Sequence, residues 1–371
     1  MPRNCSRPSL VGRWCIIPRR RRRISSLEES VMTIAILWIQ LGVAAAVILG
    51  ASLFLAKSAD VIAIKTGLGR SFVGVVLLAT ATSLPELGTG ISAVTVVGQP
   101  DLAVGGAFGS NLFNLLIIGL MDIFWWRRFL LNHVGMSSVV IGTLGIIVIS
   151  LGGAAVLLHD MSSTFGGWPI SPISIVLVVG FAIAMYFIYL FEQSEGATDK
   201  KTETDDSKQY GSERLPRHLV IYVVSALVVV GSAVWLSFVS DDLAVEMGWD
   251  ASFMGTQFLA AATSLPELAT SFAALRIGAP ELAITNLLGS NLFNMGFVLF
   301  LDDVAYTGAP IWTAVSPVHA LTGAIAVVMT AVIVLAVVTR PRQDRPGVVT
   351  IEAGVLIGVY AIASFLVFTL G

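Results

Sequence analysis

Two stretches hold the residues best suited to chemistry, and they occur once in each half of the chain. Residues 79–86 read ATATSLPE and are followed by GSNLFN at 109–114; residues 260–267 read AAATSLPE and are followed by GSNLFN at 289–294. Each copy places a carboxylate, Glu86 or Glu267, in an apolar run beside small hydroxyl residues and a proline. Thr82 and Glu86 are four residues apart, as are Ser110 and Asn114, so on a helix each pair shares one face. Pro85 and Pro266 lack an N–H and push away the carbonyl one turn back, which frees backbone oxygens around 79–82 and 260–263. Carboxylate, hydroxyl, amide and carbonyl oxygens together are hard ligands suited to Na⁺ or Ca²⁺. An isolated ionised carboxylate in a membrane interior costs several kcal/mol. Both glutamates are therefore expected to be protonated or cation-bound.

A single Thr-Ser-x-Pro-Glu segment could equally be a helix kink whose glutamate bonds a neighbouring helix. Two copies, each followed by the same Ser-Asn block, favour a shared site. No other pattern offers comparable chemistry. The four histidines, at 133, 159, 218 and 319, have no metal-ligand spacing and read as loop and interface residues. Cys5 and Cys15 lie in the polar N-terminal segment, so the apolar body has no disulfide or thiolate. Gly-rich stretches such as GVVLLATATS lack the lysine and spacing of a phosphate loop, which argues against a nucleotide-driven pump. The RRRRR run at 19–23 is too isolated on such an apolar chain to indicate nucleic acid.

These residues need a membrane scaffold. The 371-residue chain is 56% hydrophobic and 12% charged, against about 25% charged for soluble domains. The spacing predicts an all-α membrane protein with ten transmembrane helices, at 33–56, 71–97, 102–123, 137–158, 172–192, 217–240, 250–275, 281–301, 313–338 and 347–370. Two five-helix repeats, 33–192 and 217–371, flank a polar linker at 193–216. Five spans per half force the second half to enter the membrane in the opposite direction.

Basic residues test that topology. If the first span starts outside, inner loops carry fourteen Lys and Arg residues and outer loops none. The outer loops instead carry acids, among them Asp101, Asp241, Asp242, Asp302 and Asp303. The linker is then cytoplasmic. The basic segment 1–32 would lie outside, against the rule, unless Met32 is the true start, which the charge count favours. Thr82, Ser83, Pro85 and Glu86 align with Thr263, Ser264, Pro266 and Glu267, and Ser110, Asn111 and Asn114 with Ser290, Asn291 and Asn294. Inverted repeats of this kind place their site near the midplane, where helices are interrupted.

These motifs resemble the cation/calcium exchanger superfamily, specifically its prokaryotic sodium/calcium exchanger branch. Its two repeats carry a GTSxPE-like motif and a GNxxGSNxxN block. Here these read ATSLPE at 81–86 and 262–267, GGAFGSNLFN at 105–114 and TNLLGSNLFN at 285–294. Ala81 and Ala262 depart from the motif glycine, Gly106 from its asparagine and Thr285 from another glycine. The resemblance implies that Glu86 and Glu267 bridge Ca²⁺ and that Thr82 and Thr263 ligate through carbonyl and hydroxyl. Ala79 and Ala260 would offer carbonyls, and Ser83, Ser110, Ser264 and Ser290 hydroxyls to flanking Na⁺ sites. Asn114 and Asn294 would complete the cluster.

The implied function is Na⁺/Ca²⁺ antiport by alternating access in a prokaryotic cell membrane. Ca²⁺, Na⁺ and the lipid bilayer are the partners, with no cofactor, nucleotide or nucleic acid, and one monomer suffices. H⁺-coupled exchange of Ca²⁺ or another divalent cation is the alternative. A cation channel is a further class, but it needs a continuous polar lining that one compact polar cluster does not supply.

Overall fold

A computed structural model describes residues 19–66, 81–125, 129–158, 170–196, 214–307, 309–339 and 350–371. Its helices are α1 (Arg19–Lys65), α2 (Leu84–Val97), α3 (Pro100–Phe124), α4 (Met136–Leu157), α5 (Pro172–Gly196) and α6 (Leu215–Met247). They continue with α7 (Ala251–Thr263 and Leu265–Arg276), α8 (Pro280–Ala305), α9 (Val318–Thr339) and α10 (Ile351–Leu370). No strand occurs among the described residues. Eight helices are long and apolar enough to cross a membrane, or nine when the two parts of α7 count as one bent span. The expected span at 71–97 is described only from residue 81, and Leu84–Val97 is a shorter apolar helix.

Long apolar runs with no internal proline make α4, α9 and α10 continuous helices, as expected where backbone polar groups must be satisfied within the segment. The interrupted helices are those carrying the motifs. α7 bends by 44° between Thr263 and Leu265. Ser83 (φ −92°, ψ 10°) and Ser264 (φ −87°, ψ 8°) occupy the same backbone conformation, each just before a Leu-Pro-Glu start. The proline supplies no N–H to the preceding turn, which opens the ladder at this point.

The following turn is repaired alike in both copies. Thr89 donates to the Pro85 and Glu86 carbonyls at 3.0 Å each, and Thr270 to those of Pro266 and Glu267 at 2.9 and 3.2 Å. Each helix then ends on a left-handed glycine, Gly98 (φ 77°) or Gly278 (φ 79°), before a Pro-acid helix start. Only glycine adopts that conformation without strain.

Equivalent helices meet across the molecule: α1 packs along α6, α4 along α9, and α3 against α8. In α3 and α8, 67% of the most apolar window is buried, against 22% in α5 and α10. The helices bearing GSNLFN are therefore the centre of the bundle. Small residues allow the close crossing. Built Cβ atoms on Gly109 and Gly255 would strike the backbones of Thr256 and Leu102, so α3 and α7 touch main chain to main chain.

Several sequence expectations change. Asp302 and Asp303 are not loop charges: both are fully buried within α8. Asp241 and Asp242 likewise lie inside α6, which continues to Met247. His218 and His319 are buried rather than interfacial. Trp312, beyond the end of α8, is fully buried and donates Nε1–H to Ser174 Oγ at 2.7 Å. Buried indoles and imidazoles need such a partner, and here the polar network inside the bundle supplies one.

Candidate functional site

The two helix breaks meet the two GSN blocks at the centre of the bundle. Thr82, Ser83, Glu86, Ser110, Asn114, Ala260, Thr263, Ser264, Glu267, Ser290 and Asn294 are all buried, with Glu86 4% and Glu267 1% exposed. Ala79 lies outside the described residues.

Each glutamate is the first acid of its helix after the break, near the N–H groups a helix start leaves unpaired. Glu86 Oε1 accepts from Ser264 Oγ at 3.1 Å and Ser110 Oγ at 3.5 Å. Ser110 Oγ is also 3.4 Å from Thr263 Oγ1. Glu267 Oε1 accepts from Ser290 Oγ at 3.4 Å, with Thr82 as a further hydroxyl neighbour. Each carboxylate is thus approached by hydroxyls from both halves, Glu86 by Ser110 and Ser264 and Glu267 by Ser290 and Thr82.

The asparagines form a second reciprocal pair. Asn114 Nδ2 donates to Asn291 Oδ1 at 2.9 Å, and Asn294 Nδ2 to Asn111 Oδ1 at 3.4 Å. Asn291 also donates to the Asn111 carbonyl at 3.3 Å. With the amide N–H groups used in this way, the amide oxygens of Asn114 and Asn294 remain. Asn111 and Asn291 are absent from the sequence-based ligand set. Their register one residue after the GSN serines was a usable signal, but their pairing across the halves was not.

The unsatisfied atoms define the chemistry. Glu86 Oε2, Glu267 Oε2, Asn114 Oδ1, Asn294 Oδ1 and Ser83 Oγ are buried without a hydrogen-bond partner. With both glutamates ionised, four of these five only accept, so neither a further carbonyl nor a carboxylate can satisfy them. Clustered orphan oxygens cost ~1–3 kcal/mol each or more when charged, and a hard cation is the species that removes this penalty. Among the described residues no group of three His, Cys, Asp or Glu side chains could hold a metal. The donor set is therefore two carboxylates with neutral oxygens, which disfavours a soft transition metal.

Two details depart from expectation. The Ala260 carbonyl accepts from Ser264 N–H at 3.0 Å and Thr263 Oγ1 at 3.2 Å, so both its lone pairs are engaged. A proline disrupts mainly the carbonyl four residues back, which for Pro266 is Ala262. The halves also differ: Asn294 opens a wide π turn, Asn294–Val298, whereas Asn114 sits in uninterrupted α-helix. Such turns often mark functional positions.

Asp101, expected among the outer-loop acids, ties the halves together. Its Oδ1 accepts from Ser316 N–H at 2.6 Å and lies 3.0 Å from His319 Nε2. Asp122 accepts from Leu130 N–H at 2.8 Å and from the Thr350 hydroxyl.

Relatives share this architecture. The inner membrane protein YrbG of Escherichia coli (strain K12) is 28% identical over 268 residues, covering 68% of this chain and 74% of the relative. The structure of native YfkE superposes with a TM-score of 0.62 at 17% identity, covering 94% of this chain and 98% of that one. The crystal structure of the H⁺/Ca²⁺ exchanger CAX gives the same TM-score at 13% identity, covering 95% and 93%. At these identities the two structures attest a common fold. The family described as sodium/calcium exchanger protein matches residues 36–191 and 217–370. By that match over most of its length, the chain belongs to the sodium/calcium exchanger protein family.

Proposed function

We propose that this protein is a secondary active antiporter that exchanges Ca²⁺ for Na⁺ by alternating access. Residues 33–192 and 217–371 act as two inverted five-helix repeats of a ten-span protein, with residues 193–216 as a cytoplasmic linker. The observation that carries this reading is the pair of buried glutamates, each with an orphan carboxylate oxygen, on matching helix breaks from the two halves.

Ca²⁺ binds between Glu86 and Glu267, whose two charges balance it. The amide oxygens of Asn114 and Asn294 and the Ser83 hydroxyl fill further coordination positions. Ser110, Ser264 and Ser290, with Thr82 and Thr263, orient the carboxylates and serve Na⁺ when Ca²⁺ leaves. Movement between outward- and inward-open states follows neutralisation of the glutamates, because carrying two bare carboxylates through an apolar interior is prohibitively costly. The family membership supports Ca²⁺ as cargo. Neutral hydroxyl and amide oxygens around only two carboxylates suit Na⁺ as the counter-ion.

The test is ⁴⁵Ca²⁺ uptake into proteoliposomes. Uptake is expected to follow an outward-directed Na⁺ gradient and to be insensitive to an imposed pH gradient. Uptake that follows the pH gradient and ignores Na⁺ would establish H⁺ coupling instead. Flux with neither counter-ion would indicate a channel.

A further inference from the structure

The two acids at the end of α8 have different fates. Asp303 Oδ1 accepts from Ile311 N–H at 2.7 Å, and its Oδ2 from Ser171 N–H at 2.8 Å. In the first half, Asp122 Oδ1 accepts from Leu130 N–H, also eight residues ahead. On α3 and α8 the GSN blocks align at an offset of 180, and the π turn Asn294–Val298 adds one residue to α8, so beyond it Asp122 and Leu130 align with Asp303 and Ile311 at 181. Asp303 and Asp122 are thus equivalent structural ties, and the position equivalent to Asp302 is Met121, an apolar core residue.

Asp302 therefore has no counterpart and no such tie. It is fully buried, and neither carboxyl oxygen has a hydrogen-bond partner among the described residues. Its carboxyl group lies flat on Gly90, where an added Cβ would meet Oδ1, Oδ2 and Cγ at 2.5, 2.6 and 2.9 Å. Gly90 is one turn beyond Glu86 on α2.

Among the described residues, no group of opposite charge is placed against Asp302. The segment around Asp302 packs against α2, α3 and α5, and none of these helices, nor α8 itself, contains a Lys, Arg or His. Of the neighbouring acids, Asp303 is engaged as above and Glu86, one turn before Gly90, belongs to the central cluster. Tyr186 on α5 is more than half exposed, and Tyr189 receives the Gln193 amide at 2.6 Å. A bare carboxylate at such a site is prohibitively unfavourable. Ca²⁺ or Na⁺ would need several oxygens around it, and here the neighbouring surface is a glycine. A proton is the one cation that a lone carboxyl group can hold.

We propose that Asp302 is an intramembrane proton-binding site, separate from the central cation cluster, and that it holds one proton while its carboxyl lies on Gly90. The neutral carboxyl lets α8 close against α2 one turn from Glu86. Releasing the proton places a charge at that contact and separates the two helices. The site therefore couples ambient pH to the position of the helix that carries Glu86.

The test is infrared spectroscopy of the full-length chain in lipid nanodiscs at neutral pH, in the E86Q/E267Q background that removes both central carboxyls. A carboxylic-acid C=O stretch should be present in that background and disappear when Asp302→Asn is added. Absence of the band in E86Q/E267Q overturns the proposal even if the triple variant does not fold. Survival of the band in a folded triple variant also overturns it. Neither result depends on whether Na⁺ or H⁺ drives Ca²⁺ flux in the proteoliposome assay, so the two readings fail separately.

Discussion

Replacing Glu86 by glutamine isolates the charge at the centre of the site. The amide oxygen can still accept from Ser264 and Ser110, which now approach Oε1 at 3.1 and 3.5 Å, so local packing survives. What disappears is one of the two carboxylate charges proposed to face the cation. Removing one member of a buried ion pair costs about 3–5 kcal/mol, so Ca²⁺ affinity should fall by roughly 10²- to 10⁴-fold.

A thermal-shift assay reads this without any assumption about counter-ion. At Ca²⁺ equal to about 100 times the wild-type Kd, binding stabilises the wild type by ~2.7 kcal/mol. For a variant whose Kd is 100-fold weaker, the same concentration gives only ~0.4 kcal/mol. The Ca²⁺-induced rise in Tm should therefore nearly vanish, while Tm without Ca²⁺ stays equal to or above that of the wild type. A Glu86→Gln protein whose Ca²⁺ affinity stays within tenfold of wild type would refute the two-glutamate site. So would one whose apo form unfolds.

Other perturbations probe the scaffold and the cluster separately. Glu267→Gln should abolish Ca²⁺ uptake into proteoliposomes while the protein still inserts in the membrane; substantial remaining uptake would remove Glu267 from the site. Asn291→Ala breaks the bonds to Asn114 and to the Asn111 carbonyl, leaves buried amide groups unpaired, and should cost about 1–3 kcal/mol of stability by thermal unfolding. Gly109→Ala drives a methyl into the Thr256 backbone and should cost about 1–3 kcal/mol or more. Its sequence equivalent, Gly289→Ala, has nothing within 4 Å of the new methyl and should be close to neutral; equal effects in the two variants would contradict the crossing geometry.

Much of the site was legible without coordinates because its constraints are local. A glutamate one residue after a proline in an apolar run already implies a broken helix and a costly charge, whatever surrounds it. Helix periodicity was sufficient to place Ser110 and Asn114 on one face. The all-helical membrane architecture followed from apolar run length.

What the tertiary structure decided are questions of which face meets what. Gly109 and Gly289 are identical in local sequence, yet only Gly109 lies under another backbone, because α7 crosses α3 there. Asp302 and Asp303 are adjacent and chemically alike. Burial at the end of α8 aims one at two N–H donors and the other at bare glycine. Asn111 and Asn291 became partners only when α3 and α8 packed together, and the Ala260 carbonyl proved engaged because Ser264 N–H still reaches it. Local sequence sets backbone conformation and the cost of burying each group. Which groups relieve that cost depends on contacts between residues some 180 positions apart, and only the folded bundle creates those contacts.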